Sequence, residues 1–165
     1  MALLAVAPAP VPSRAGAAPG GARCGFEASF RLTPGLSVTP SRGDFTSSGE
    51  TGTIRCHGTL SAGPVAGAGT FGALGRYGTG TFGDTCQAGG EGDGVQSLTV
   101  PTAGGAVHVT NPFRFRYGIP TGHVLGGTFE GPSFTGTFEI VSFEGDCVAN
   151  PMTVVILRGE GDLSA

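Results

Sequence analysis

Apolar and polar residues alternate with a period of two in much of this chain. The clearest run is Phe113, Phe115 and Tyr117, which alternate with Arg114 and Arg116. Successive side chains of a strand point to opposite faces, so such runs predict half-buried strands of antiparallel sheet. No stretch beyond the first 22 residues shows the 3.6-residue period of a helix. The chain is therefore predicted to be all-β.

Glycine and proline divide the alternating segments from one another. The chain has 32 Gly and 12 Pro among 165 residues. Glycine inside a strand marks tight curvature or close backbone approach, and barrel closure removes exposed sheet edges. We therefore predict a small antiparallel β-barrel of roughly nine strands, with a β-sandwich as the alternative. The predicted strands are 24–32, 50–60, 65–74, 77–86, 94–100, 105–117, 123–130, 133–143 and 152–160.

The phrase Gly-Thr-Phe recurs four times. It occupies 69–71, 80–82, 127–129 and 136–138, so the copies form two closely spaced pairs. Each pair is predicted to be a hairpin. The repetition indicates either a decayed duplication of two β-meanders or convergence on residues that favour strands and bends.

The first residues differ from the rest of the chain. Residues 1–22 are mostly Ala, Pro and Gly, with a short apolar run at Ala2–Ala7 and a small-residue phrase at Ala15–Ala17. This pattern is typical of the end of a secretory signal peptide; the alternative is a disordered Ala/Pro-rich leader. Residues 23–165 are then a single β-barrel domain.

All four cysteines lie after this leader. An even count in an exported chain predicts two disulfides. Cys86 and Cys147 each end a Gly-Asp phrase, which suggests that they lie at the same end of the fold. We therefore predict the pairs Cys24–Cys56 and Cys86–Cys147, and a secreted, extracellular protein.

Composition excludes some classes of partner. The net charge is −3, only 13% of residues are charged, and all nine basic residues are Arg. A nucleic-acid-binding protein needs a basic surface, so nucleic acid is excluded as a partner. No apolar run approaches the ~18 residues of a transmembrane helix, so no membrane span is predicted. The abundance of Ala, Gly and Pro is typical of a GC-rich bacterium.

Motifs for catalysis or cofactor binding are weak. Gly-x-Gly-x-x-Gly occurs at 67–72 and 78–83, but no predicted helix follows to bind a pyrophosphate. The three His are far apart in sequence, and no serine-hydrolase motif is present. We predict no catalytic residue, no metal site and no cofactor.

The alternating segment 113–117 is the best candidate for a binding site. If its aromatic side chains face inward, Arg114 and Arg116 are solvated outside. In the opposite orientation the two Arg would line the interior beside His108 or Glu139, where they could bind an anionic group. The candidate ligand-binding residues are Phe113, Arg114, Phe115, Arg116, Tyr117 and His108.

The sequence predicts a non-catalytic binding or interaction module, with another secreted or envelope protein, or a small apolar ligand, as the partner. The alternatives are a barrel-type cyclase or isomerase, an apolar-ligand carrier with an interior cavity, and a structural cell-surface protein. The interior distinguishes them. A cavity of ~300 Å³ or more with convergent Arg, His or Glu supports a ligand or an enzyme, whereas a packed core supports the other roles.

Overall fold

A computed structural model describes residues 20–47, 52–118 and 125–165, and within these ranges the chain forms ten strands and no helix. The prediction of an all-β protein is confirmed. The strands are β1 (Gly21–Leu36), β2 (Gly43–Ser47), β3 (Gly52–Leu60), β4 (Gly63–Pro64), β5 (Ala68–Tyr77), β6 (Gly90–Thr102), β7 (Gly105–Gly118), β8 (Gly126–Glu130), β9 (Phe134–Glu144) and β10 (Met152–Ser164).

The ten strands form one antiparallel sheet that closes on itself. Strands β5 to β9 each pair with the next strand along the chain, and β10 returns to pair with β1 from Gly21↔Ser164 to Arg31↔Val154. Strands β2 and β3 share one position between β1 and β5, and β4 pairs only with β3. The barrel therefore has eight strand positions, because β4 lies outside the ring and β2 and β3 together occupy one position.

The two ends of the barrel are built differently. One end, called here the loop end, carries the connections 37–42, 78–89 and 145–151. At the opposite end Leu60, Phe134 and Leu163 are fully buried. There the backbone N–H of Ser61 donates to the carbonyl oxygen of Ala165 at 2.9 Å. The core is therefore packed at one end and bounded by loops at the other.

Two disulfides are present, with the predicted pairing. Cys24–Cys56 joins directly opposed residues of β1 and β3 and is buried in the barrel wall. Cys86–Cys147 joins two connections at the loop end. The expectation that Cys86 and Cys147 lie at the same end of the fold is therefore also confirmed.

Inward glycines make room for phenylalanine rings. Phe26 of β1 lies directly opposite Gly159 of β10, and a Cβ atom on that glycine would overlap the ring. The same arrangement recurs between Phe115 of β7 and Gly92 of β6. A narrow barrel can hold so many aromatic side chains because the positions opposite them carry none.

Some predicted boundaries are wrong. The predicted strand 77–86 is a loop after Tyr77, because Gly78 and Gly83 adopt positive φ angles of 74° and 75° that interrupt an extended backbone. Of the Gly-Thr-Phe phrases, 127–129 and 136–138 lie in the paired strands β8 and β9, as expected, whereas 80–82 lies in this loop.

Other expectations concern the start of the chain and the membrane. The predicted leader lies outside the described residues except for residues 20–22, and β1 already begins at Gly21. Within the described ranges, no helix has the length and hydrophobicity needed to cross a bilayer.

Candidate functional site

The barrel interior contains a partly open apolar cavity of about 90 Å³, towards the loop end. Every position around the ring contributes a side chain to the cavity lining, and Phe45 of β2 does so at the position that β2 and β3 share. Its lining residues are Phe26, Phe30, Leu32, Leu36, Phe45, Phe71, Ala73, Tyr77, Gln96, Phe113, Phe115, Tyr117, Phe129, Phe138, Ile140, Val155 and Leu157.

The aromatic residues of β7 line one wall of this cavity. Phe113, Phe115 and Tyr117 face inward and are half-buried. Their ring centroids are 6.0 Å and 6.2 Å apart along the strand, and Phe115 meets Phe138 of β9 edge to face at 6.4 Å. These distances are typical of stabilising aromatic pairs. The aromatic half of the predicted site therefore lies on an interior surface, and ligand binding there remains a prediction.

The three basic candidates lie on the outside of the barrel. Arg116 is exposed and pairs with Glu91, with 3.0 Å between Nε and Oε2. Arg114 is also exposed, and His108 contacts the Thr99 hydroxyl at 3.1 Å on the outer face of β6 and β7. The structure therefore separates Arg114, Arg116 and His108 from the aromatic side chains, and the alternative in which they line the interior is not the one observed.

A second group of residues meets at the loop end of the cavity. We call Ser41, Tyr77, Asp84 and Tyr117 the polar cluster. Reciprocal backbone hydrogen bonds of 2.9 Å between Ser41 and Asp84 join the connections 37–42 and 78–89. The hydroxyl of Tyr77 donates to the carbonyl oxygen of Pro34. The cluster therefore depends on two loops and on the ends of two strands.

Asp84 is the central member of the polar cluster and is fully buried. Its Oδ1 accepts the backbone N–H of Glu91 at 3.0 Å, whereas its Oδ2 has no hydrogen-bond partner among the described residues. The carboxyl group packs against Gly90, where any Cβ atom would overlap it. A glycine at that position is therefore needed for Asp84 to point inward.

Burial changes the acidity of this carboxyl group. Loss of water raises the pKa of Asp84 above its usual range, and the backbone N–H groups of Glu91 and Gly78, together with the Tyr117 hydroxyl, offset only part of the effect. Burial, followed by the nearby negative charge of Asp84, also raises the pKa of Tyr117. No Arg in the described residues forms an ion pair with Asp84. The ionised carboxylate is therefore poorly compensated.

A pH series can detect this uncompensated charge. Since the folded state binds the Asp84 proton more tightly than the unfolded state, its stabilising effect is present below the unfolded pKa of about 3.9. That effect is lost as the pH rises through the elevated folded pKa. Thermal melts of wild type and Asp84→Asn should give similar Tm values near pH 3 and a higher Tm for the variant at pH 7. A Tm difference that does not change with pH would contradict the raised pKa.

A buried polar pair joins directly opposed residues of the neighbouring strands β6 and β7. Gln96 Nε2 donates to Asn111 Oδ1 at 2.9 Å and to the carbonyl oxygen of Phe134 at 3.2 Å. The Gln96 side chain borders the cavity. Sequence analysis missed this residue, although the period of two in β6 places it in phase with the buried Leu98.

The fold and the site together define a closed antiparallel β-barrel with an apolar interior cavity and a buried carboxyl group at its loop end. Within the described ranges, no group of three or more His, Cys, Asp or Glu is placed to hold a metal ion. Comparison with protein-family models, with curated proteins and with solved structures finds no match to this chain.

Proposed function

We propose that the protein is an exported, non-catalytic binding module that holds a small apolar ligand inside its barrel. The observation that carries this proposal is the cavity of about 90 Å³, whose surface is apolar and largely aromatic. Apolar cavities of this kind stay dry and take up small apolar molecules. The inward-facing residues of β7 supply one wall of the site.

The lining of the cavity favours binding over catalysis, and its size restricts the ligand to a very small molecule. The cavity is well below the ~300 Å³ of a typical small-molecule site, and no Arg, His or Glu lines it. A barrel-type cyclase or isomerase would need such groups beside its substrate. By proportion with a ~150 Å³ cavity that binds benzene, this cavity accommodates about four non-hydrogen atoms.

The disulfides support the export part of the proposal. Both pairs are formed and no free cysteine remains among the described residues. Disulfides persist in oxidising compartments and are rare in reducing ones. The Ala-, Gly- and Pro-rich composition supports a GC-rich bacterial source.

Xenon binding tests the proposed cavity. We expect the wild-type protein to give a saturable ¹²⁹Xe chemical-shift change, because xenon fits small apolar cavities. Ala73 lines the cavity, so Ala73→Leu should fill it and abolish the shift change. Ala68→Leu is the matched control, since Ala68 is exposed on the same strand. The proposal fails if wild type does not bind xenon or if Ala73→Leu binds it as well as wild type does.

A further inference from the structure

Strand β7 extends well beyond the strand that covers its second side. It pairs with β6 along its length, from Gly105 to Tyr117. On the other side β8 pairs only with residues 114–118, because β8 is five residues long. Among the described residues no strand pairs with 105–113 on that side. We call residues 105–112 the β7 edge.

Alternate residues of the β7 edge direct their backbone groups away from β6. The turn between β6 and β7 has two residues, 103 and 104, so Gly105 and every second residue after it bond to β6. The residues that face the opposite side are Ala106, His108, Thr110 and Pro112. The carbonyl oxygen of Pro112 agrees with this phase, because it lies 3.0 Å from the position of a Cβ atom added to Gly131, which follows β8. Proline lacks an N–H group and is tolerated at such an edge position.

These backbone groups have no partner in the part of the chain that the structure describes. The N–H groups and carbonyl oxygens of Ala106, His108 and Thr110 make no hydrogen bond to another described residue. All three residues are exposed, whereas Val107 and Val109 between them are buried. The β7 edge therefore presents a regular row of three donors and three acceptors, which is the arrangement that an added strand binds.

The β7 edge also lacks the charges that usually protect such a strand from pairing. The whole hairpin 94–113 contains no Asp, Glu, Lys or Arg. Two copies of the edge can therefore approach one another without like-charge repulsion, although the chain as a whole has a net charge of −3. Val and Thr, which occupy 107, 109 and 110, favour the extended backbone that this pairing needs.

We propose that a second copy of this chain pairs with the β7 edge, so that two barrels join antiparallel about a two-fold axis at His108. Ala106 of each protomer then faces Thr110 of the other, and the three pairs exchange about six backbone hydrogen bonds. This register uses every N–H of the edge that points away from β6. A shift by one residue would set Ala106 opposite Pro112, which has no N–H to donate. The inference is independent of the cavity site.

Amide hydrogen exchange distinguishes pairing at this edge from dimerisation elsewhere. We would measure exchange at single-residue resolution, and molar mass by sedimentation equilibrium, from about 10 µM to about 1 mM wild-type protein, the range of weak association. We expect the molar mass to rise from monomer to dimer. Across the same range, the amides of Ala106, His108 and Thr110 should become several-fold more protected. The amides of Val107 and Val109 bond to β6 and should stay protected throughout, which makes them the internal control.

His108→Lys should weaken dimerisation several-fold, because it sets two like charges directly opposite one another across the axis. Thr99→Lys is the matched control. Thr99 lies directly opposite His108 on β6 and contacts its ring at 3.1 Å, so both variants add the same charge and remove the same contact. Thr110→Pro is the second variant: it removes an N–H that points away from β6, and it should weaken the dimer without disturbing the β6–β7 pairing.

Four results would overturn the proposal. The first is a monomer up to about 1 mM. The second is a dimer in which the amides of Ala106, His108 and Thr110 exchange rapidly, because the copies would then meet elsewhere. The third is protection of these amides in the monomer, which would show that a segment of the same chain covers the edge. The fourth is equal dimer affinity in His108→Lys and Thr99→Lys. If a variant fails to fold, the wild-type exchange pattern decides.

Discussion

Removal of either disulfide is expected to lower the free energy of unfolding by about 4 kcal/mol, since each bridge restricts a long loop of the unfolded chain. The bridged residues are separated by 32 positions in Cys24–Cys56 and by 61 in Cys86–Cys147. For a chain of this length, such a loss corresponds to a fall in Tm of roughly 10 °C. Double alanine variants of each pair, melted under identical non-reducing conditions, test the expectation.

The two double alanine variants should differ in which part of the protein unfolds locally. Without Cys86–Cys147, amide hydrogen exchange should accelerate in the connections 78–89 and 145–151 while the strands stay protected. Without Cys24–Cys56, protection from exchange should fall throughout the barrel, because that bridge is buried between two central strands. Unchanged exchange in both connections after removal of Cys86–Cys147 would show that the bridge does not hold the loop end together.

Gly159→Ala is expected to destabilise the protein by about 1–3 kcal/mol, the usual effect of overfilling a packed core. The added Cβ would overlap the ring of Phe26, which lies directly opposite on β1. It would also approach the carbonyl oxygen of Thr137 on β9 to 2.5 Å. Both neighbours would have to shift. Urea denaturation of wild type and variant measures the difference.

Gly25→Ala is the control, and we expect it to raise the free energy of unfolding rather than lower it. Gly25 is exposed on β1, and the nearest atom to an added Cβ is the carbonyl oxygen of Gly159 at 3.8 Å, an ordinary contact. Reduced freedom of the unfolded chain should then stabilise the variant by about 0.4–1 kcal/mol. If Gly159→Ala stabilised the protein equally, the aromatic rings would not require inward glycines.

The period of two predicted the features that depend on local alternation. It indicated an all-β fold and placed Phe113, Phe115 and Tyr117 together on the face opposite Arg114 and Arg116, because a strand alternates its side chains whatever it pairs with. The pattern leaves open which of the two faces points inward. It overstated the strand at 77–86, where two glycines with positive φ angles form a loop. It missed β2, whose five residues contain a single large apolar side chain, Phe45.

The polar cluster could not be predicted in the same way. Ser41, Tyr77, Asp84 and Tyr117 come from four separate segments, and only the closed sheet and the joined loops bring them together. The Gly-Asp phrase before Cys86 was visible in the sequence, but nothing local indicates that its carboxyl group is buried. The inward position of Gln96 was predictable from phase, since it shares a face with two buried aliphatic residues of β6.

Closure of the barrel between β1 and β10 also governs the order of assembly. The first described strand cannot gain its final partner until a segment more than 110 positions later has been synthesised. Pairings this distant in sequence form slowly, because a long chain must lose its freedom before the contact stabilises it. Until then β1 and β9 each present an unpaired edge that can recruit strands from other chains. Formation of the β1–β10 pairing is therefore the folding step with which aggregation competes. A chain that crosses a membrane unfolded would form this pairing only after it has crossed.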